Sequence, residues 1–143
     1  MYYNNLKRLR NEKELTQDDI AKILNRSRST YNNWERGIVM IPLDVIDQLS
    51  VYYKVSLSCV LGIDKKIEYK SKIKKMNYDV LLNNLRELRK KNKHTYNEVA
   101  VYLKCTEATC QRYFTGVIKI PMDRLVLLSE LYNIDLDNLC DKE

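Results

Sequence analysis

The sequence predicts an all-α protein that contains two copies of one helical unit. A pattern of about 57 residues occurs twice, because a shift of 79 positions places residues 6–62 on residues 85–141 without a gap. The 143 residues include only 3 glycines and 2 prolines, too few turn-forming residues for a protein of many strands. The apolar residues recur at intervals of three and four, which is the period of a buried helix face.

The repeat defines the predicted domain organisation. With two copies, each copy must bury its own core, unlike a solenoid that stacks several repeats. We therefore predict a first domain over residues 1–63, a Lys-rich linker over residues 64–77 and a second domain over residues 78–143. The residues that recur include Leu6, Leu9, Arg10, Thr16, Ala21, Leu24, Thr30 and Gly37, whose counterparts are Leu85, Leu88, Arg89, Thr95, Ala100, Leu103, Thr109 and Gly116.

Five helices are predicted in the first copy. Leu6 and Leu9 mark the first helix. Thr16 caps the second, with Asp19 three residues later in an approximate capping box. This helix ends at Asn25, because Asn tolerates a left-handed backbone. The remaining boundaries are indicated by Ser27 and Gly37 for the third helix, Pro42 for the fourth and Ser56 for the fifth.

Composition argues against a membrane protein, a metalloprotein or an enzyme. No apolar run reaches transmembrane length, and residues 1–6 lack the basic start and apolar core of a signal peptide, so we expect a cytoplasmic protein. The four cysteines form no C-x-x-C pair and His94 is the single histidine, so we expect reduced thiols and neither a metal nor a cofactor. The chain has no Gly-rich phosphate loop and no paired acid and nucleophile, which predicts that it is not an enzyme.

Positive charge is concentrated in the first copy and the linker. The net charge is +6. Residues 1–62 carry nine Lys and Arg against seven Asp and Glu, residues 63–77 carry six against two, and residues 78–143 carry ten against ten. A basic half joined to a neutral half indicates a polyanion-binding module attached to a part with another task, most simply nucleic acid on one side and a protein surface on the other.

The first copy also contains a specific set of short motifs, which are Thr16-Gln17-x-x-Ile20-Ala21, Ser27-x-x-Thr30, Trp34-Glu35-Arg36-Gly37 and Ile41-Pro42. These motifs resemble the lambda-repressor-like (Cro-type) helix-turn-helix family, strongly over residues 6–62 and more weakly over residues 85–140. The resemblance implies two tandem five-helix lambda-repressor-like domains, of bacterial or phage origin, in which the third helix enters the major groove of DNA.

The third helix of the first copy carries most of the predicted DNA-binding residues. Tyr31 and Trp34 lie three apart and should face the core, which leaves polar side chains of a type that reads bases on the outer face. The resemblance implies that Gln17 contacts phosphate and braces this helix, and that Arg10 and Glu35 form a structural ion pair. The predicted DNA-binding set is Gln17, Arg26, Ser27, Arg28, Ser29, Asn32, Asn33 and Arg36.

The second copy keeps the scaffold and loses this polar surface. Gln17 is replaced by Tyr96, and Glu35 by Phe114. Glu107 stands where a phosphate or base edge would lie, and its charge opposes DNA binding by the same route.

The second copy also gains apolar residues. Three positions that we interpret as polar and outward in the first copy change, since Lys22, Asp47 and Gln48 become Val101, Val126 and Leu127. Surplus apolar area beyond one core usually forms a protein contact. We predict an interface at Val126, Leu127 and Leu131 and favour a homodimer over packing of the two copies on each other.

The linker has an alternating pattern. Ile67, Tyr69, Ser71 and Ile73 alternate with Glu68, Lys70, Lys72 and Lys74. This period of two indicates a strand, but an isolated strand would be marginal, so a flexible connector and a short strand paired with a partner's copy both stay open. In either case the lysines could contact DNA backbone.

The sequence therefore predicts a sequence-specific transcriptional regulator that binds double-stranded DNA. The resemblance favours a repressor of a phage, plasmid or mobile element that reads the major groove with residues 28–36. The alternative is an antitoxin-like or other interaction module that binds a small protein partner through the second copy and represses its own promoter. RNA binding is less favoured, because the reading helix lacks the aromatic platforms used for single strands.

Overall fold

The computed structural model describes residues 4–142, which form ten α-helices and no strand. The helices group into two compact units, Met1–Lys75 and Met76–Glu143. The prediction of an all-α chain with two tandem helical domains is confirmed. Over the described part of the chain, every helix is too short or too polar to span a lipid bilayer.

Local capping sets the helix boundaries of the first unit. Its helices are α1 (Asn4–Glu12), α2 (Gln17–Ile23), α3 (Arg28–Glu35), α4 (Leu43–Tyr53) and α5 (Leu57–Leu61). The Thr16 hydroxyl accepts from the Asp19 N–H, and the Asp19 carboxylate accepts from the Thr16 N–H, which completes the predicted capping box. Ser27 and Ser56 cap α3 and α5 through one hydrogen bond each.

The second unit repeats this arrangement with α6 (Tyr78–Lys91), α7 (Tyr96–Leu103), α8 (Glu107–Thr115), α9 (Met122–Leu131) and α10 (Leu136–Leu139). Thr95 and Glu98 form the capping box of α7. Gly116 follows α8 with φ +82°, and a Cβ at this position would lie 2.9 Å from Leu82 Cδ1. The left-handed backbone favours glycine here, and a larger residue would also have to displace the tip of the Leu82 side chain.

Each unit contains a buried apolar core at equivalent positions. In the first unit Tyr31 and Leu61 are fully buried, and in the second Cys110 and Cys140 take their places, also fully buried and free of disulfides. Burial raises the pKa of the Cys110 thiol to about 11, so it is protonated at neutral pH. These cysteines act as small apolar core residues.

The Lys-rich segment after α5 packs on the first unit. Residues 64–75 group with that unit, so the boundary between the units falls inside the predicted linker. The segment forms no strand within the described chain. It is nevertheless held in place, because the Lys70 N–H donates to the Lys54 carbonyl oxygen at 2.8 Å and side chains of α1 bind it elsewhere. The segment is therefore a docked extension of the first unit.

The structure corrects the sequence-based prediction at two positions, which were expected to be exposed and are buried. Asp47, interpreted from sequence as outward, is 4% exposed, and the equivalent Val126 is also 4% exposed. The reason is that the fourth helix of a unit is covered over more than one stripe, since α4 buries seven of its eleven residues. Val126 thus belongs to the buried interior and not to an exposed interface. Leu127 and Leu131 are half-buried and stay available for contact.

A buried ion pair joins the first and third helices of the first unit. Arg10 Nε donates to Glu35 Oε2 at 3.0 Å, and Arg10 Nη2 donates to Glu35 Oε1 at 2.9 Å. The two side chains are 12% and 6% exposed. Burial acts to raise the pKa of Glu35, but the hydrogen bonds from Arg10, the Tyr31 hydroxyl and the charge of Arg10 together outweigh it and hold the pKa below its ordinary value.

The second unit replaces this ion pair with an arginine–aromatic cluster. Phe114 stands in the place of Glu35, and the Arg89 guanidinium lies 4.2 Å from the centre of the Tyr96 ring. The Tyr96 ring packs edge-on against Phe114, with 5.7 Å between their centres. Arg89 Nη1 donates to the His94 carbonyl oxygen at 3.0 Å, but its buried Nε has no acceptor among the described residues. The ring contact offsets part of that cost.

We expect Glu35→Ala to destabilise the first unit by about 3–5 kcal/mol at pH 7, because Arg10 would stay buried without a counter-charge. Trp34 is the single tryptophan, so its fluorescence during urea unfolding reports on the first unit. The pKa of Glu35 is depressed on folding, so its contribution is present above the ordinary pKa of about 4.3 and is lost as the pH falls through the lower folded value. The difference between wild type and variant should therefore shrink below about pH 4.

The double variant Glu35→Phe with Gln17→Tyr is the matched comparison. It copies into the first unit the aromatic pair that surrounds Arg89, so it should recover part of the stability that Glu35→Ala loses. A double variant no more stable than Glu35→Ala would contradict the stabilising role of the ring contact.

Candidate nucleic-acid interface

A short turn between α2 and α3 fixes the direction of α3. Asn25 adopts a left-handed backbone with φ 56°, which asparagine accepts more readily than most residues. The Arg26 N–H donates back to the Ala21 carbonyl oxygen at 2.9 Å, and Ser27 then caps α3 by accepting from the Thr30 N–H at 3.1 Å. These bonds use local backbone groups, so the turn is determined by its own residues.

The helix α3 has one buried face and one polar outer face. Tyr31 and Trp34 are buried, as their spacing predicts. Burial also raises the pKa of Tyr31 far above its ordinary value, so its hydroxyl is neutral. The outer face, which we name the reading face, carries Arg28, Ser29, Asn32, Asn33 and Arg36, of which the two asparagines are half-buried and the others exposed.

One hydrogen bond orients the middle of the reading face. Asn32 Nδ2 donates to Gln17 Oε1 at 2.9 Å. Gln17 begins α2, and its amide also favours the ionised form of Glu35, although less than Arg10 does and against the effect of burial. The side chain of Asn32 is therefore connected through Gln17 to the buried ion pair. Its remaining acceptor, the amide oxygen, can still meet a base.

Gln17 and Arg28 meet at a shared depression. An open cavity of about 580 Å³ lies at the start of α2, and its lining comprises Arg10, Glu14, Leu15, Thr16, Gln17, Asp18 and Arg28. The structure thus brings two of the predicted DNA-binding residues, which are 11 positions apart in the sequence, onto one concave surface.

The two predicted contacts in the turn differ in availability. The Ser27 hydroxyl donates to Thr30 Oγ1 at 2.8 Å in addition to capping α3, so its single donor is already used. Arg26 is exposed, and its Nη1 lies 3.4 Å from the Asn25 carbonyl oxygen and 3.5 Å from that of Leu24. These long contacts leave its charge accessible to solvent.

An apolar loop beside the reading face was missed by the sequence reasoning. Ile38, Val39 and Met40 follow Gly37, which lies two residues after the end of α3, and all three are exposed, with Ile38 at 58%. The Ile38 N–H donates to the Asn33 carbonyl oxygen at 2.9 Å, which holds the loop against α3. The sequence signal was the apolar run after Gly37. Apolar groups in this position are suited to contact thymine methyl groups.

The equivalent helix α8 presents a different surface. Cys110, Tyr113 and Phe114 are buried. The amide that braces α3 is absent, because Tyr96 lies under Arg89 instead. The outward side chains are Glu107, Ala108, Gln111, Arg112 and Thr115, all exposed.

No group of three or more His, Cys, Asp or Glu side chains in residues 4–142 is placed to hold a metal ion.

Comparisons with known proteins agree with this geometry. The Helix-turn-helix family model matches twice, over residues 6–58 and 85–139. The chain is also similar to YobD of Bacillus subtilis (strain 168), described as an uncharacterized HTH-type transcriptional regulator, with 32% identity over 75 residues that cover 50% of this chain and 67% of that protein. No solved structure matches the chain at a significant level. The chain therefore belongs to the XRE-type helix-turn-helix family and is a DNA-binding transcriptional regulator with two tandem family domains.

Proposed function

We propose that this regulator binds double-stranded DNA sequence-specifically through the reading face and acts as a repressor in the cytoplasm. The observation that carries the proposal is the hydrogen bond from Asn32 to Gln17, which orients a polar helix face that faces away from the core. A helix of this kind fits the major groove. The family resemblance favours a repressor of a phage, plasmid or mobile element, which would block a promoter by occupying it.

The roles of the residues follow from their chemistry and position. Arg28 is suited to grip guanine O6 and N7, and Asn33 to grip adenine N6 and N7, whereas Asn32 keeps only part of its amide for a base. The other predicted contacts should position the protein on phosphates or at the edge of the groove, and they are Gln17, Arg26, Ser27, Ser29 and Arg36.

We expect Arg28→Ala and Asn33→Ala each to weaken binding to the preferred duplex by about 1–3 kcal/mol and to relax base preference at one position. The measurement is a competition titration between a duplex selected by the wild type from a random pool and a scrambled duplex of equal length. Glu107→Ala and Arg112→Ala are the matched controls at the equivalent positions of α8 and should change neither affinity. Equal losses on both duplexes would show that Arg28 and Asn33 contact phosphates alone.

The repressor role has a separate test. A reporter promoter that contains the selected duplex should produce less transcript in the presence of the wild type, and Asn33→Ala should restore the transcript. An increase of transcript with the wild type would instead identify an activator.

We also propose that the protein is a homodimer held by the second unit. Tyr102 is 39% exposed, and Leu127 and Leu131 are half-buried. In the first unit Gln48 Nε2 donates to the Ile23 carbonyl oxygen at 3.4 Å, which supports placing the equivalent Leu127 beside Tyr102.

Opposite charges border this surface and suit a two-fold contact. Lys104 and Glu130 are both exposed, so Lys104 of one protomer could meet the partner's Glu130. Such a dimer would read an inverted repeat whose half-sites lie about 10 base pairs apart or a multiple of that distance.

From the proposed dimer we expect the double variant Leu127→Gln with Leu131→Lys to be a folded monomer in sedimentation and to give a weaker footprint on DNA. The reason is that each apolar side chain lost from the interface removes roughly 1.5–3 kcal/mol of association free energy. Val126→Ala is the control: this residue is buried, so its truncation should lower stability and leave association unchanged. A double variant that stays dimeric would move the interface elsewhere, with residues 67–73 as the next candidate.

The second candidate is an antitoxin-like interaction module. It is favoured by the same surface of the second unit, together with the carboxylate of Glu107 on α8, which opposes DNA there. In this case a small protein partner should co-purify with the chain, and Leu127→Gln with Leu131→Lys should release that partner while the reading face still represses the chain's own promoter.

A further inference from the structure

The segment after α5 is bound along one side of α1. Asn5 Nδ2 donates to the Asp64 carbonyl oxygen and Arg8 Nη1 to the Lys65 carbonyl oxygen, both at 2.9 Å. Farther along, the Tyr69 hydroxyl donates to the Glu12 carboxylate. These contacts, spread over two turns of α1, hold the segment as part of the surface of the first unit.

The reading helix lies on the opposite side of α1. Residues 5, 8 and 12 contact the segment, whereas Arg10 contacts Glu35 at the end of α3. At 3.6 residues per turn, Arg10 points roughly 170° away from the mean direction of the other three residues. The buried Leu6 and Leu9 lie between these two directions and face the core. The docked segment and the end of α3 therefore contact opposite sides of α1.

Docking assembles a basic surface on this side, which we name the linker face. Its cations are Lys65, Lys66, Lys70 and Lys72 of the segment, with Arg8 and Lys13 of the α1 region, and all are exposed. Its acidic groups are Glu12, Asp64 and Glu68, of which Glu12 accepts the hydrogen bond from Tyr69. Among these nine groups the cations exceed the carboxylates by three, six against three.

The linker face is suited to a duplex backbone rather than to single strands. Tyr69 is an exposed aromatic residue there, but its hydroxyl is bound to Glu12 and Lys13 Nζ lies 5.7 Å from its ring centre. One ring shared in this way is not the series of stacking platforms that single strands use. Lysines contribute compact point charges, which neutralise phosphates without reading sequence.

We propose that the linker face binds the phosphate backbone of a second DNA duplex segment while the reading face holds its preferred site. This proposal rests on the proposed function only in assuming that the reading face binds DNA. It assigns the preferred duplex and the second duplex to opposite sides of α1. A chain of this kind joins two DNA segments. Neutralising four phosphates with four lysines adds about 3–4 to the negative slope of log K against log salt for the second duplex.

The test is a bridging assay with the full-length protein. A duplex selected by the wild type from a random pool is immobilised and saturated with protein, and capture of a labelled scrambled duplex is measured between about 50 and 200 mM salt. The variant replaces four lysines with glutamine: Lys65→Gln, Lys66→Gln, Lys70→Gln and Lys72→Gln. The matched control makes the same change of charge on exposed lysines of the second unit that lie outside the proposed dimer contact: Lys90→Gln, Lys91→Gln, Lys93→Gln and Lys119→Gln.

The expected result is a loss of at least about tenfold in capture of the scrambled duplex by the linker variant, with affinity for the selected duplex changed less than about twofold. The control variant should capture as the wild type does. A linker variant that loses affinity for the selected duplex, with a salt slope reduced by about 3–4, would place these lysines on the same duplex and overturn the proposal.

Three other outcomes would also overturn it: unchanged capture by the linker variant, equal loss in the control, or competition by single-stranded RNA or an acidic polypeptide but not by duplex.

A failure of the proposed function can be distinguished from a failure of this proposal. If the reading face does not read DNA, Asn33→Ala would bind the selected duplex as the wild type does. The effect of the linker lysines on the affinity for scrambled duplex would still be measurable by direct titration.

Discussion

The buried contact between Arg10 and Glu35 connects the core of the first unit to its outer surface. Glu35 ends α3, and its charge is held by Arg10 from α1 and favoured by the Gln17 amide from α2. Gln17 in turn accepts the hydrogen bond that orients Asn32. Three helices therefore meet at one carboxylate, and the direction of a reading side chain depends on a charge that is largely shielded from water. Such a connection keeps polar side chains of a short helix in defined positions before DNA is met, which reduces the ordering cost of binding.

The second unit shows what happens to the same backbone when that connection is removed. Its capping box at Thr95 and its glycine after α8 are kept, so the helices begin and end at equivalent places. The Tyr96 ring, packed edge-on against Phe114, then lies against the Arg89 guanidinium, and this ring contact offers no directional bond to the outer face of α8. The scaffold is preserved because local capping and core volume determine it, while the polar surface is lost because it required one specific chain of hydrogen bonds.

Charge is distributed over two sides of the first unit. The reading face carries arginines and asparagines, whose planar groups suit base edges, whereas the linker face carries lysines, whose charges suit phosphates. The polar groups of Asn5 and Arg8 make this division possible, because they bind backbone carbonyl oxygens of the segment and leave its lysine side chains in solvent. A segment that would otherwise be a tether thereby becomes a surface with a fixed orientation.

The sequence by itself determined the duplication, the helix boundaries, the core positions of Tyr31 and Trp34, and the family, because capping residues, turn residues and apolar residues at intervals of three and four are signals that act within a few positions. The tertiary structure decided what depends on contacts between distant residues. Asp47 and Val126 are buried because neighbouring elements cover more of the fourth helix than one stripe, which periodicity alone cannot reveal. The Lys-rich segment alternates like a strand, yet its conformation is set by side chains of α1 more than 55 positions away. Likewise, the side chain of Asn32 is distinguished from that of its neighbour Asn33 by a hydrogen bond with Gln17, a partner on another helix.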